Sequence, residues 1–352
     1  MPRELPTLTI AGRRVGAGEP TYVIAEIGSN HNRDWDTAVR LIAECAAAGA
    51  DAVKFQVYSG ATIYSRKTPK IASLAAVSEQ SATDLLEDIS LPRDWLPRLH
   101  EEAARHGVHC FATAFDLAAV DELAAAGNPV LKIASFEIVD VPLIRKAAST
   151  GLPVLISTGM ATMGEIEDAV RAAQEAGAGG VGLMQCTSLY PAEPHLINLR
   201  AMDTMARAFE VPVGFSDHTL GISVPIAAAA LGAAFVEKHV TLDKTQSGPD
   251  HGFALEMDEL AAMVRGIREA QASLGDPRKS GPMPEELTEA YPMGRRSLVL
   301  VRDLPAGTRL EREMLTSKRP GLGIPPRFLE HVVGRSLRVD AVADDVLTWD
   351  MM

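Results

Sequence analysis

From residue 21 onward the chain alternates short apolar, β-rich runs with longer alanine-rich stretches of helical spacing. The first run, TYVIAEIG (21–28), leads into DWDTAVRLIAECAAAGA (34–50), which has helical apolar spacing behind Asp34 as a candidate N-cap. Further runs are AVKFQVY (52–58), VHCFATA (108–114), PVLKIAS (129–135) and PVLISTG (153–159). VGLMQCT (181–187), VPVGFSD (211–217) and AFVEKHV (234–240) complete the set. Near-continuous apolar runs, each leading to a helical segment, predict buried parallel strands with crossover helices. An open doubly wound sheet would usually carry a Gly-rich phosphate turn after its first strand, and AEIGSNHN is no such turn. Eight runs over about 250 residues predict an α/β fold of the (β/α)₈ barrel type.

A barrel of this kind carries its active site at the C-terminal ends of the strands. The polar residues closing the runs are Glu26, Lys54, Gln56, Thr113, Lys132, Ser135, Ser157 and Thr158 on the first five. Gln185, Thr187, Ser188, Ser216, His218, Glu237, Lys238 and His239 close the rest. The barrel is expected to occupy 1–275, with a Pro-, Gly- and charge-rich linker over 276–294. A small β-rich domain follows over 295–352, too small to bury much core alone, so docking on the barrel or on a partner is expected. The segment 60–95 interrupts the alternation and reads as a long excursion over the site or a mobile stretch.

Composition narrows the function classes. The formal charge of −12 argues against nucleic acid as the main partner, although a few local lysines suffice to hold an anionic small substrate. No apolar run of membrane-spanning length occurs, and MPRELPTLTIAGRRVG lacks a signal-peptide core. Cys45, Cys110 and Cys186 are sparse and form no CxxC pair, which fits a reducing cytoplasm.

His218 and His239 end the seventh and eighth runs and would be neighbours on the barrel rim. They read either as an open divalent-metal site completed by water and substrate, or as two unrelated hydrogen-bonded imidazoles. Lys54 and Lys132 interrupt apolar runs; with Ser135, Ser157 and Ser216 they read as a cradle for phosphate or carboxylate, or as lysines reaching the rim. Glu26 and Glu137 are the candidate carboxylates for proton transfer or hydroxyl binding. Of Glu237 and Lys238 one must face away from the interior, Asp217 is a candidate partner fixing the His218 tautomer, and Cys186 reads as a packed thiol. Asp250 lies in a glycine–proline loop after the last strand.

These segments together resemble the sialic acid synthase family, which includes N-acetylneuraminate, legionaminic and spore-coat polysaccharide synthases. The matching stretches are AEIGSNHN, AGADAVKFQ, KIASFE, ISTGM, QCTSLYP, FSDHTLG, EKHVTLD and GPDH. KRPGLGIPP (318–326) resembles the family's antifreeze-like (SAF) domain. The resemblance implies condensation of phosphoenolpyruvate with an N-acylated aldose, N-acetylmannosamine-like or a diamino-dideoxyhexose, to a nonulosonic 2-keto acid. In that route C3 of the enol attacks the aldehyde carbon, water adds at C2, and phosphate leaves by C–O cleavage. It also implies a domain-swapped homodimer, with His218 and His239 holding a divalent metal, typically Mn²⁺, with Mg²⁺ or Co²⁺ as substitutes. Lys54, Thr113, Lys132, Ser135, Ser157, Ser188 and Ser216 match phosphoenolpyruvate-binding positions. Glu26, Gln56, Tyr190 and Asp250 match positions that hold the sugar or assist proton transfer, and Arg319 matches the arginine a partner's SAF domain brings to the N-acyl group. FATAFD (111–116) departs from the family by an alanine in place of a common proline, and Ser188 replaces an asparagine found in some members.

Two other readings compete. One is a pyruvate aldolase working through a Schiff base on Lys132, acting on another sugar aldehyde. The other is a non-catalytic sugar- or polymer-binding protein, which would leave the lysines and the histidine pair without a purpose.

Overall fold

A computed structural model describes residues 6–69, 71 and 78–352. The chain divides into two compact units, Met1–Gly275 and Asp276–Met352.

The first unit begins with an antiparallel hairpin, β1 (Thr7–Ile10) and β2 (Arg13–Gly16). Eight parallel strands follow: β3 (Tyr22–Gly28), β4 (Ala52–Val57), β5 (His109–Ala114), β6 (Leu131–Ile133), β7 (Val154–Ser157), β8 (Val181–Cys186), β9 (Val213–Asp217) and β10 (Phe235–His239). They pair in sequence order and β10 closes on β3, which makes a closed (β/α)₈ barrel. The first crossover helix, α1 (Trp35–Ala47), starts where expected: Asp34 accepts a hydrogen bond from the Thr37 amide at 2.7 Å. Thr162 and Glu165 form a capping box at the start of another, Met163–Glu175.

Strand parity divides the core into two. Val23, Ala25, Ile27, Val53 and Phe55 face outward and pack under the helices. Tyr22, Ile24, Phe111, Leu155, Met184 and Phe235 face inward, where Leu8, Ile10 and Val15 of the hairpin join them. The hairpin, absent from the expected order of elements, therefore stops the barrel at the N-terminal ends of its strands. The cluster has room because β8 and β9 give up side chains: a Cβ on Gly182 would lie 2.7 Å from Leu155, and one on Gly214 2.5 Å from the Phe235 carbonyl. Further along each strand the inward positions turn polar, so the barrel is apolar below and charged at its mouth.

The segment 60–95 contributes short helices at Gly60–Ile63 and Ala82–Ile89, tied by Glu87 accepting from the Gly60 amide at 2.8 Å. The expectation of a covering excursion falls partly on 70 and 72–77, outside the described residues.

The second unit has an antiparallel pair, β11 (Ser297–Leu300) and β12 (Leu315–Lys318). Its own small core includes Leu298, Leu300, Leu310, Ile324, Val332 and Leu347.

Candidate active site

Register sets the chemistry in rows across the mouth. Glu26 is level with Lys54, Gln56 with Thr113, Thr113 with Lys132, and Ser216 with Glu237. Glu26, Lys54, Thr113, Lys132, Ser157, Ser216 and Glu237 are all buried, and they close into one network. Lys54 Nζ lies 2.8 Å from Glu26 Oε2 and donates to Thr113 Oγ1 at 2.7 Å. Lys132 Nζ donates to Ser157 Oγ at 2.7 Å. Glu237 sits between the lysines, 3.8 Å from Lys54 and 3.5 Å from Lys132, and accepts from Ser216 Oγ at 3.0 Å. Glu237 thus takes the inward position and Lys238 the outward one, as regular alternation to His239 requires.

The environment separates these groups electrostatically. Burial drives Glu26 up to about 7, against the pull of Lys54. Burial also acts upward on Glu237, but Lys132 and Lys54 outweigh it and hold that carboxylate below its ordinary value. Burial lowers Lys132, with Glu237 opposing, whereas for Lys54 the charges of Glu237 and Glu26 outweigh burial and raise it. Two carboxyls in one cavity with such different proton affinities suit different tasks.

Beside Lys132, Gly159 fits between two hydroxyls. A Cβ there would lie 2.3 Å from Ser188 Oγ and 2.8 Å from Ser135 Oγ, and the Gly159 amide donates to Ser135 at 3.0 Å. Ser188 Oγ is buried without a hydrogen-bond partner. Lys132, Ser135, Ser157, Ser188 and the Gly159 backbone accordingly form one donor-rich recess suited to an anion.

His218 and His239 face each other with ring centroids 5.5 Å apart. His218 Nδ1 is 3.1 Å from the Thr187 carbonyl, which can only accept, so Nδ1 carries a proton. Burial acts downward on this imidazole, but Cys186 and the Thr187 carbonyl outweigh burial and raise it. Cys186 Sγ lies 3.8 Å from the same nitrogen, so this thiol packs against the site's edge. His239 Nδ1 is buried without a hydrogen-bond partner, 3.6 Å from Asp250 Oδ2. Burial first, then His218 and the lysines, drives His239 well below the ordinary imidazole range and keeps it neutral. No group of three or more His, Cys, Asp or Glu arranged to hold a metal occurs among the described residues. Two imidazoles alone would suit only an ion that takes its remaining donors from solvent and substrate.

Asp217 is not the partner that fixes the His218 tautomer, contrary to the sequence expectation; the Thr187 carbonyl holds Nδ1 instead. Strand parity turns Asp217 outward, where its Oδ2 pairs with Lys238 Nζ at 2.6 Å. Aromatic walls complete the histidine side: Tyr190 lies 4.3 Å from the His218 ring and buried Phe253 5.1 Å from the His239 ring. Phe253 escaped the sequence reading because a phenylalanine in a loop carries no chemical signature.

Opposite the anion recess, Glu26, Gln56 and Asp250 gather around Gly28. Gln56 Nε2 donates to Glu26 at 2.7 Å, and a Cβ on Gly28 would lie 3.4 to 3.5 Å from all three side chains. Gly28 has φ +55°, which a glycine adopts without strain. Burial raises Asp250 to about 6. Its loop is latched to the first one: His251 contacts Thr241 Oγ1 at 2.7 Å and Asn32 Oδ1 at 3.2 Å. Glu137 sits on a short turn after β6, its Oε2 buried without a partner, and burial raises it to about 7. Arg319 lies in the second unit and is exposed.

Comparison with known proteins places this arrangement. The model of the NeuB family matches residues 41–279, and that of the SAF domain matches 295–352. N,N'-diacetyllegionaminic acid synthase of Legionella pneumophila is 37% identical over 341 residues, covering 95% of each chain. N-acetylneuraminate-9-phosphate synthase of Homo sapiens is 33% identical, covering 100% of this chain and 98% of that one. The crystal structure of the N-acetylneuraminic acid synthetase of Leptospira borgpetersenii superposes with a TM-score of 0.73 at 32% identity, over 81% of this chain and 95% of that one.

Proposed function

The chain belongs to the NeuB family, and from that premise we propose that it condenses phosphoenolpyruvate with an N-acylated aldose to give a nonulosonic 2-keto acid and phosphate. The observation that carries this reading is the anion recess set beside the histidine pair. Lys132, Ser135, Ser157, Ser188 and Ser216 offer donors to phosphate and carboxylate oxygens, and Lys54 with Thr113 continues them toward Glu26. Such donors hold the enol rigidly, so that its C3 meets the acceptor without losing orientation.

Glu26, Gln56 and Asp250 lie where they would bind hydroxyls of the open-chain sugar, with Tyr190 as a wall. Glu26 or Glu137, both held near 7, can keep or release a proton at working pH as water adds at C2. His218 and His239 would hold a divalent ion, Mn²⁺ first, with Mg²⁺ or Co²⁺ as substitutes; when bound, it supplies Lewis-acid polarisation of the aldehyde oxygen. The 5.5 Å between the two rings, His218 held through Nδ1 on the Thr187 carbonyl, and the buried unpartnered Nδ1 of His239 support that assignment.

A homodimer completes the proposal, with Arg319 reaching the partner's sugar. Phe136, Met160, Leu189 and Leu220 follow four consecutive strands at the mouth and are 55%, 67%, 49% and 63% exposed, an apolar rim that supports a covering partner. The relatives' names favour an acceptor of the N-acetylmannosamine or diacetamido-dideoxyhexose kind, and the three free cysteines support the cytoplasm as the place of work. Among the described residues no helix is long and apolar enough to cross a membrane.

The test is phosphate release from phosphoenolpyruvate with Mn²⁺ across a panel of N-acylated aldoses, with product mass. Release tied to one acceptor and lost on chelation is expected; no release with any of them overturns the reading. Lowering of Lys132 by burial favours the Schiff-base alternative. Borohydride trapping with pyruvate distinguishes the two, because the phosphoenolpyruvate route forms no such adduct.

A further inference from the structure

Behind the two histidines, on the outer face of the barrel, lies an ion pair that the chemistry above does not use. Asp217 and Lys238 are register partners on β9 and β10, with both side chains 0% exposed. A buried pair of this kind is seldom kept for stability alone, since well-packed apolar residues of similar volume serve as well.

The hydrogen bonds show what it holds. Asp217 Oδ1 accepts from the Thr219 amide at 2.8 Å and Oδ2 from Thr219 Oγ1 at 3.1 Å, which closes a turn with His218 at its centre. Lys238 Nζ donates to Asp217 Oδ2 at 2.6 Å and to the Thr219 carbonyl, so one ammonium grips both ends of that turn. Lys238 itself directly precedes His239. On the other side the His218 carbonyl accepts from the Ala192 amide at 2.9 Å. We infer that the buried Asp217–Thr219–Lys238 knot is the positioning device that sets the spacing and aim of His218 and His239 toward each other.

The inference rests on the reading of that pair as metal-holding, and outer partners of ligating histidines typically contribute about 10- to 100-fold in metal affinity. The test uses the full-length protein and Mn²⁺ alone, titrated by the EPR signal of the free ion, with no substrate present. The double variant Asp217→Asn/Lys238→Met removes both charges at nearly constant shape. It is expected to melt cooperatively while binding Mn²⁺ about 10- to 100-fold more weakly, with a broadened bound-ion spectrum. Thr219→Val, a milder and isosteric change, is expected to weaken Mn²⁺ several-fold, and it keeps the test open if the double variant does not fold. Wild-type Mn²⁺ affinity in a folded variant overturns the inference alone. Failure of the wild-type protein to bind Mn²⁺ overturns the metal reading and the inference with it.

Discussion

Glu137 shows how a single side chain ties the site to pH. Its carboxyl is raised to about 7 by burial, so between about 4.5 and 7 the folded chain holds a proton that the unfolded chain has released. That contribution to stability is fully present below the unfolded value and disappears as pH rises through 7. Glu137→Gln, neutral throughout, should therefore gain on the wild type by a few degrees of melting temperature as pH is raised across this window. Equal shifts at pH 5 and pH 8 would show that Glu137 is not held protonated. Residue identities at the mouth were legible because lysines and carboxylates inside apolar runs are conspicuous. Orientation was harder: Asp217 stands beside His218 in sequence, yet strand parity puts the two on opposite faces. Glu237 was ambiguous for the same reason until the strand proved regular through His239.

At the scale of elements, the eight strands were readable because each is buried on both faces and so appears as an unbroken apolar run. The hairpin before them was not, since β1 and β2 are four residues each and mix buried with exposed positions, with no apolar run to mark them. Glycines decide how tightly the lower barrel packs. Gly214→Ala would bring a Cβ to 2.5 Å from the Phe235 carbonyl and 2.7 Å from its amide, where backbone has to move. A loss of about 1–3 kcal/mol in unfolding free energy is expected by chemical denaturation. Unchanged stability would mean that β9 and β10 separate more readily than their register implies.

For the whole molecule, the proposed exchange of Arg319 between subunits makes a prediction that no single-chain arrangement shares. Arg319→Ala alone should raise KM for the sugar with little change for phosphoenolpyruvate, and His218→Ala alone should be inactive. Coexpressed, the two should complement: half the dimers would be mixed, each with one intact site, giving about a quarter of wild-type activity. Activity no greater than that of the Arg319→Ala share would place the arginine at its own chain's site or at none. The boundary between the barrel and the small domain was visible as a change in composition near Gly275. The proposed pairing came only from the family resemblance, because composition says nothing about which copy a domain serves.

The hairpin that stops the lower barrel has a consequence for traffic. Leu8, Ile10 and Val15 pack with Phe111, Leu155 and Phe235 in one buried apolar cluster at that end of the barrel, which offers no polar path for charged molecules. Everything that reaches the charged mouth enters from one side, and everything made there leaves by the same side. Phosphate and the keto acid must clear the opening before the next phosphoenolpyruvate can settle. A molecule lodged there obstructs arrival and departure together, so accumulated product would slow the enzyme by standing in the way of its own precursors.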